Sequence, residues 1–385
     1  MRHYTDRLIM TPGPTEIPHR VRMALARETT NPDLDPAFLE LYNSVRARLR
    51  DLLGARKAKL YVWVGEAMLG LDAAIANTVK EGTKVLVVDN GVYGEGFADL
   101  VKLYGGKPIT LGLDWRRAAD PHAVERALEA NKDVEVITLV HCDTPSALLN
   151  DVGEIGKIAS HFGAVLIVDA VSSIGSMPVD FDGWGVDVMI GGSQKALNVP
   201  TGLTIFAASE RAWERFRRVN RGSFYLNPLL WEEMLDGKGV FPYTFSDVLL
   251  YALDEGLRLL YEEGLDSVYA RHDAARRAAR AALEAMGLEP YPSSAACTCP
   301  SVTAFSAPRG VRPADVRRIA WEKYGVMLAG SWGRLEESVL RIGHMGVQAS
   351  PTRLASAFIA LGMALRDLGL KADIGAAVEA VLKGF

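Results

Sequence analysis

The chain reads as an α/β protein: a mainly parallel sheet with helices on both faces, followed by a smaller α+β region. Three observations predict this. Short runs of β-forming residues alternate with segments of helical period through the first two-thirds of the 385 residues. The strand runs are apolar throughout rather than alternating, as in strands buried on both faces. After about residue 245 the texture changes to long helices separated by short strands.

Taken in order, strands are expected at 60–64 (Leu-Tyr-Val-Trp-Val), 84–88 and 134–140, each rich in β-branched or aromatic residues. Three more follow at 164–168, 186–190 and 203–207. Between them, 69–80, 94–104, 121–130 and 152–162 carry apolar residues at helical spacing; Phe97, Leu100, Val101 and Tyr104 show the pattern. The second part predicts helices at 248–261 and 267–286, a strand at 302–306, a helix at 313–324, a strand at 339–342 and a helix at 351–368. The division expected is a large domain over 16–250 and a small one over 251–385, joined by an N-terminal arm of residues 1–15. Within the arm, Thr11-Pro12-Gly13-Pro14-Thr15 is too irregular for an element and is expected to lie across the domain junction.

Composition excludes several classes. A net charge of −4 with dispersed Lys and Arg argues against a nucleic-acid surface. No apolar stretch is long enough to cross a bilayer. Met1 to Asp6 is followed by no apolar signal core, so a cytoplasmic protein is expected. The three cysteines, Cys142, Cys297 and Cys299, form no repeated CxxC pattern. Neither a disulfide framework nor a metal site is expected, and Cys142 is read as a buried small hydrophobe.

The chemistry concentrates at two strand ends. The run 164–168 leads into Asp169; the run 186–190 leads into Gly191-Gly192-Ser193-Gln194-Lys195. Ligands of open α/β sheets bind beyond the carboxyl ends of strands, where both side chains would project. A buried carboxylate needs a partner, and a lysine among apolar residues becomes a better nucleophile. A carboxylate facing a ring nitrogen and a lysine free to form a Schiff base are the two protein groups that a pyridoxal cofactor needs. A helix cap for Asp169 and a surface loop for Lys195 are the plain alternatives.

Ile167-Val168-Asp169-Ala170-Val171-Ser172-Ser173, Gly192-Ser193-Gln194-Lys195-Ala196-Leu197 and Pro200-Thr201-Gly202-Leu203 resemble the class V aminotransferases, fold-type I pyridoxal-phosphate enzymes. Thr11-Pro12-Gly13-Pro14-Thr15, Asp89-Asn90-Gly91-Val92-Tyr93-Gly94 and Leu340 to Gly346 fit the same family, so the likeness spans nearly the whole chain in order. The branch most similar is the alanine/serine–glyoxylate (or pyruvate) group. The resemblance implies a seven-stranded sheet, bound pyridoxal 5'-phosphate, and a homodimer with the active site at its interface. It implies a two-stage transfer from a serine- or alanine-like amino acid to glyoxylate or pyruvate. Lys195 would form the Schiff base and move the proton; Asp169 would pair with the ring nitrogen; Tyr93 would stack on the ring. Thr144 or Ser146 would reach the phenolic oxygen. Gly65, Glu66, Ala67 and Gln194 fall at the phosphate, with Thr244 from the partner subunit. Arg341 would take the substrate carboxylate, with Gly13 nearby, since a guanidinium offers a matching two-pronged donor.

One position departs from the family pattern. Its phosphate turn ordinarily carries small and hydroxyl residues that close on the anion. Here the stretch is Val64-Gly65-Glu66-Ala67-Met68-Leu69-Gly70. Two like charges about 4 Å apart at intermediate dielectric repel by several kcal/mol. The same substitution marks the pyridoxamine–pyruvate aminotransferase branch, which uses unphosphorylated pyridoxamine and pyridoxal as substrates, with no cofactor tightly bound. Asp35-Pro36-Ala37-Phe38, His141 to Ser146 and Phe241-Pro242-Tyr243-Thr244 also agree with that branch, although Leu34 stands where an aromatic is expected. The other reading is that Glu66 caps the following helix and a phosphate-bearing cofactor binds normally. Two further classes are weighed. A lyase of the cysteine-desulfurase type would need Cys297 or Cys299 as a mobile nucleophile, and no basic neighbour activates either. A non-enzymatic pyridoxal-binding regulator would not need an intact Lys–Asp pair.

Overall fold

A computed structural model of the chain describes residues 7–219 and 223–385, so residues 1–6 of the expected arm lie outside the described residues. The main sheet contains β1 (Lys59–Val64), β2 (Lys84–Asp89), β3 (Lys107–Gly112), β4 (Val134–Val140), β5 (Val165–Asp169), β6 (Val188–Gly192) and β7 (Leu203–Ala208). Their spatial order is β1-β7-β6-β5-β4-β2-β3. Every neighbouring pair is parallel except those of β7, which runs antiparallel to both β1 and β6. Helices α1 (Pro36–Leu52), α2 (Met68–Thr78), α3 (Val92–Leu103), α4 (Pro121–Ala130), α5 (Val152–Phe162) and α6 (Glu210–Val219) accompany the sheet. The central strands β5, β6 and β7 are buried along their whole length, which is why they read as unbroken apolar runs.

Strand β3 is absent from the sequence expectation for a physical reason. It is the sheet edge, its residues are exposed or half-buried, and it opens with Lys107-Pro108. Lysine and proline are how edges avoid further pairing, so no apolar run marks it. Helix α1 was also unanticipated, although its start is written locally. Asp35 accepts a hydrogen bond from the Ala37 N–H (2.9 Å), and Pro36 fills the first helical position.

The remaining chain forms α7 (Asp247–Glu263), α8 (Leu265–Ala285), β8 (Val302–Ser306), α9 (Pro313–Tyr324), β9 (Ala329–Gly330), β10 (Val339–Gly343), α10 (Pro351–Asp367) and α11 (Ile374–Lys383). The small sheet is antiparallel with β10 at its centre. Two large apolar cores result, with a smaller third cluster around the Cys142–Cys299 pair. One surrounds the main sheet and extends to Val268; the other gathers Met10 with residues from Ala275 onward. Helix α8 begins on the first and continues on the second, presenting Ala275, Ala278, Ala279 and Ala282 to its neighbours.

The N-terminal segment threads between these cores. Leu8 and Ile9 pair in parallel with Val326 and Met327. The Met10 carbonyl accepts from the Gly343 N–H (2.7 Å), and the Thr15 N–H donates to the Gln194 carbonyl (3.1 Å). The cysteine expectation is corrected: Cys142 is not a lone hydrophobe but is disulfide-bonded to Cys299, leaving Cys297 as the free, buried thiol. The partners are 157 residues apart in sequence with Cα atoms 5.9 Å apart. Only the tertiary fold brings them within bonding range, so a count of cysteines could not reveal the pair. Among the described residues no helix is long and apolar enough to cross a membrane, and no His/Cys/Asp/Glu cluster could hold a metal ion.

Candidate active site

Asp169 is the last residue of β5 and is held on both sides, opposite Val140 of β4 and Ile190 of β6. Its carbonyl accepts from the His141 N–H (2.8 Å). Its carboxyl is 5 % exposed and accepts a bond from the Val171 N–H (2.9 Å). Burial pushes this carboxyl up to about 6, against the pull of that N–H and of Lys195.

Lys195 follows β6 on a turn closed by its own backbone. Ser193 N–H donates to the Leu203 carbonyl (3.1 Å), Val199 N–H to the Ser193 carbonyl (3.2 Å) and Asn198 N–H to the Lys195 carbonyl (3.0 Å). The Lys195 ammonium donates to the Pro12 carbonyl of the N-terminal segment (2.9 Å). Loss of solvent lowers its pKa to about 8; the Arg341 charge adds to this, while Asp169 and Glu66 oppose it. Gly13 makes the approach possible. Its φ is +119°, and a Cβ there would lie 2.6 Å from the Lys195 Nζ.

Asp169 and Lys195 line one cavity of ≈ 290 Å³ together with Gly13, Glu66, Ala67, Tyr93 and Gln194. These were all expected site residues. Sequence reasoning did not name the other walls as site residues: Pro14, Met68, Leu71, Val171, Ser172, Thr201 and Trp332. Most are neighbours of motif residues, but Trp332 arrives from the small-sheet side, 61 % exposed at the rim, and nothing local marked it. Glu66 lies where helix α2 begins. Its Oε2 accepts from the Met68 N–H (2.8 Å) and its Oε1 from the Gln194 side-chain amide (2.5 Å). The Gln194 Oε1 is buried without a partner. Gly65 stands just outside the wall, its N–H donating to the Gly202 carbonyl (2.7 Å).

Four further expected residues also lie off the cavity wall. Arg341 is buried in β10, its Nε donating to the Gly330 carbonyl (2.5 Å). Burial lowers its pKa to about 10, with Tyr93 and Asp143 opposing. Thr144 pairs its hydroxyl with that of Ser172, a wall residue. Ser146 donates its hydroxyl to the Asp143 carboxyl (2.5 Å). Thr244 is exposed and donates to Asp33 (3.0 Å), away from the cavity of its own chain. Asp143, unremarked in the sequence, is fully buried; it accepts from the Tyr93 N–H (3.0 Å) and the Ser146 N–H (3.1 Å). Its signal was available: it follows β4 much as Asp169 closes β5. Neither Cys297 nor the disulfide-bonded Cys299 lines the cavity, so the desulfurase reading has no mobile thiol among the described residues.

Residues 10–335 match the family model for the class V aminotransferases. The chain belongs to the class V aminotransferases. This aminotransferase is 36% identical over 383 residues to the pyridoxamine–pyruvate transaminase of Mesorhizobium japonicum, covering 99% of this chain and 97% of that one. It is 32% identical to the serine–glyoxylate aminotransferase of Methylorubrum extorquens, over 97% and 94% of the two chains. The crystal structure of pyridoxamine–pyruvate aminotransferase from Mesorhizobium loti superposes with a TM-score of 0.95 at 34% identity, covering 100% of this aminotransferase and 98% of that chain. Class V aminotransferases are pyridoxal-phosphate-dependent enzymes.

Proposed function

We propose that this aminotransferase moves an amino group from a serine- or alanine-like amino acid to glyoxylate or pyruvate, on a pyridoxal cofactor held between Asp169 and Lys195. The observation that supports it is the pairing of a buried strand-end carboxyl with a strand-end lysine in one cavity, each displaced toward neutrality. These residues fit the ring of the cofactor. Asp169 spends one oxygen on Val171 and keeps the other for a cationic ring nitrogen. When bound, the cofactor supplies a carbonyl for the amino group and a ring that accepts electrons from the substrate carbon.

The residues then divide the work. Lys195 at a pKa of about 8 holds about 300-fold more neutral amine at pH 7 than a lysine at 10.5. Its Nζ is therefore both nucleophile and proton carrier at the substrate carbon. Asp169 would keep the ring nitrogen protonated, and Tyr93 would cover the ring from the cavity side. Arg341 takes the substrate carboxylate from behind the wall. Ala67 and Gln194, with Gly65 just behind them, would hold the far end of the cofactor, and Thr144 and Ser146 would act through Ser172 and Asp143. Lys195 is the one cation among the wall residues, so a second substrate carboxylate would find Glu66 instead of a partner. This favours monocarboxylic substrates. Faster turnover of glutamate and 2-oxoglutarate than of alanine and pyruvate would refute it.

A second reading is favoured by one observation. The Glu66 carboxylate holds the first N–H of α2 and the Gln194 amide, the two donors best placed for a phosphate. That arrangement suits the uncharged hydroxymethyl of pyridoxamine or pyridoxal. The test is one purified sample. Yellow protein that releases phosphorylated cofactor on denaturation supports the first form; colourless protein that converts pyridoxamine and pyruvate to pyridoxal and alanine supports the second.

We also propose a homodimer that brings Thr244 to the partner's cavity, and a domain division near the start of the small region. Light scattering at micromolar concentration tests the dimer.

A further inference from the structure

Resting on the assignment of Lys195 as the reacting lysine, we propose that Asn198 is a positioning residue that locks the lysine turn to the loop beyond Arg341. Three chain segments meet at its buried amide. Its Nδ2 donates to the Thr15 hydroxyl (3.0 Å) and to the Met345 carbonyl (3.5 Å), while its Oδ1 accepts from the Val347 N–H (2.8 Å). Its own N–H closes the lysine turn on the Lys195 carbonyl (3.0 Å), and the Thr15 hydroxyl donates to that same carbonyl (2.9 Å).

The far side of the loop is equally fixed. The Gly346 N–H donates to the ring of His272 (2.8 Å), and the Gly346 carbonyl accepts from Arg271 (2.5 Å). The loop begins one residue after β10, which carries Arg341. Asn198 is thus the polar link between the strand-end turn that carries the amine and the loop that continues from the carboxylate-binding strand. Two features show that the link is built rather than incidental. Asn198 adopts φ +53°, a left-handed conformation that non-glycine residues hold only when the surroundings fix it. Gly346 has φ +56°, and a Cβ there would fall 1.7 Å from the Asn198 Oδ1, so only glycine admits the amide.

A group that fixes the amine relative to the carboxylate site acts on the geometry of proton transfer, where small misplacements are costly. The test uses the full chain with Asn198→Gly, which accepts the left-handed backbone and removes the amide alone, and Asn198→Asp, which keeps the acceptor for Val347. Both are measured against Thr15→Val and the Asn198→Gly/Thr15→Val double variant. Alanine and pyruvate turnover, thermal unfolding and cyanoborohydride fixation of pyridoxal on Lys195 are read on each. Asn198→Gly is expected to melt a few degrees lower yet stay folded and keep Lys195 fixation, lower kcat by about tenfold or more, and raise the pyruvate KM severalfold. Asn198→Asp should fall between it and the parent. The double variant should lose less than the product of the two single losses, because both remove the same bond. A parent-like kcat and KM in Asn198→Gly, or full additivity with Thr15→Val, would overturn the proposal. If the parent itself showed no fixation at Lys195, the assignment of the lysine would fail instead, so the two failures are distinct.

Discussion

The Lys195 amine is governed by three named charges of opposite sign, and that makes its titration a sharp probe of the cavity. Burial lowers the pKa from 10.5 to about 8; Arg341 pushes it the same way, whereas Asp169 and Glu66 push it back up. The parent protein should therefore react with added pyridoxal in a pH profile with its midpoint near 8. Removing Arg341 (Arg341→Leu) should raise the midpoint, while Asp169→Asn and Glu66→Gln should each lower it. At an effective dielectric near 20, each shift is expected at several tenths to about one unit, up to tenfold in neutral amine at fixed pH, and the exposed Glu66 gives the smallest. The assay is cyanoborohydride fixation followed by peptide mass spectrometry of Lys195, normalised at every pH to Nα-acetyl-lysine amide to cancel the reagent's own pH dependence. The Asp169 variant is the most discriminating. Its lysine should react with the aldehyde more readily at pH 7 than the parent's, yet its amino-acid turnover should collapse by about 100-fold or more, because the ring nitrogen has lost its anion. A parent midpoint above 10, or all three variants moving in one direction, would refute the electrostatic account.

Other expectations follow from the same geometry. Arg341→Lys keeps the charge but loses the planar fork, so the pyruvate KM should rise by about tenfold or more in steady-state kinetics. Glu66→Thr should shift the ratio of pyridoxal phosphate to pyridoxal affinity, measured by equilibrium dialysis, toward the phosphate by about tenfold or more; an unchanged ratio would clear Glu66 of any role in that choice. Trp332→Ala should raise kcat/KM for amino donors with larger side chains relative to alanine by about tenfold, since the indole closes the rim. Asp169→Asn should stabilise the ligand-free protein. The carboxyl rises from 3.8 to about 6 on folding, so its ionised form disfavours the fold by about 3 kcal/mol at neutral pH. This penalty is complete above pH 6 and vanishes below 3.8, and denaturant unfolding of both proteins should converge in that window.

Much of this was legible because the chemistry sits at ends of strongly patterned strands. β5, β6 and β7 are buried and almost wholly apolar, and the polar residues at the ends of β5 and β6 announce themselves by contrast. The strand of the main sheet that escaped, β3, is the one that is neither buried nor apolar. The sequence named Thr144 and Arg341 as site residues but could not place them on or off the cavity wall, for a different reason. Whether Thr144 faces a ligand or Ser172, and whether Arg341 reaches through or behind the wall, depends on rotamers set by tertiary contacts. Trp332 and the Cys142–Cys299 pair depend on the small sheet docking against the large one, a relation that no local window contains. Asp143 was within reach: a buried acid beyond a parallel strand invites the question put to Asp169, and here the answer is structural, since its bonds go to Tyr93 and Ser146.

The ionisable groups of the cavity share one property that bears on what it accepts. Burial moves Asp169 up, Lys195 down and Arg341 down, each toward its neutral form. Every such group is more costly to hold charged than it would be in water, and none is fully compensated by its protein neighbours. The complementary ligand therefore carries a cation opposite Asp169, a carbonyl within reach of the Lys195 amine, and an anion directed at Arg341. A pyridinium aldehyde and an α-carboxylate together meet all three demands, whereas either alone leaves one uncompensated. Glu66 is different, because its carboxylate is exposed and already bonded at both oxygens. It asks for nothing further, and a second anion arriving there would have to displace both of its donors. On the proposed reading the three buried groups would define the reaction, and Glu66 would bear only on which form of the vitamin enters it.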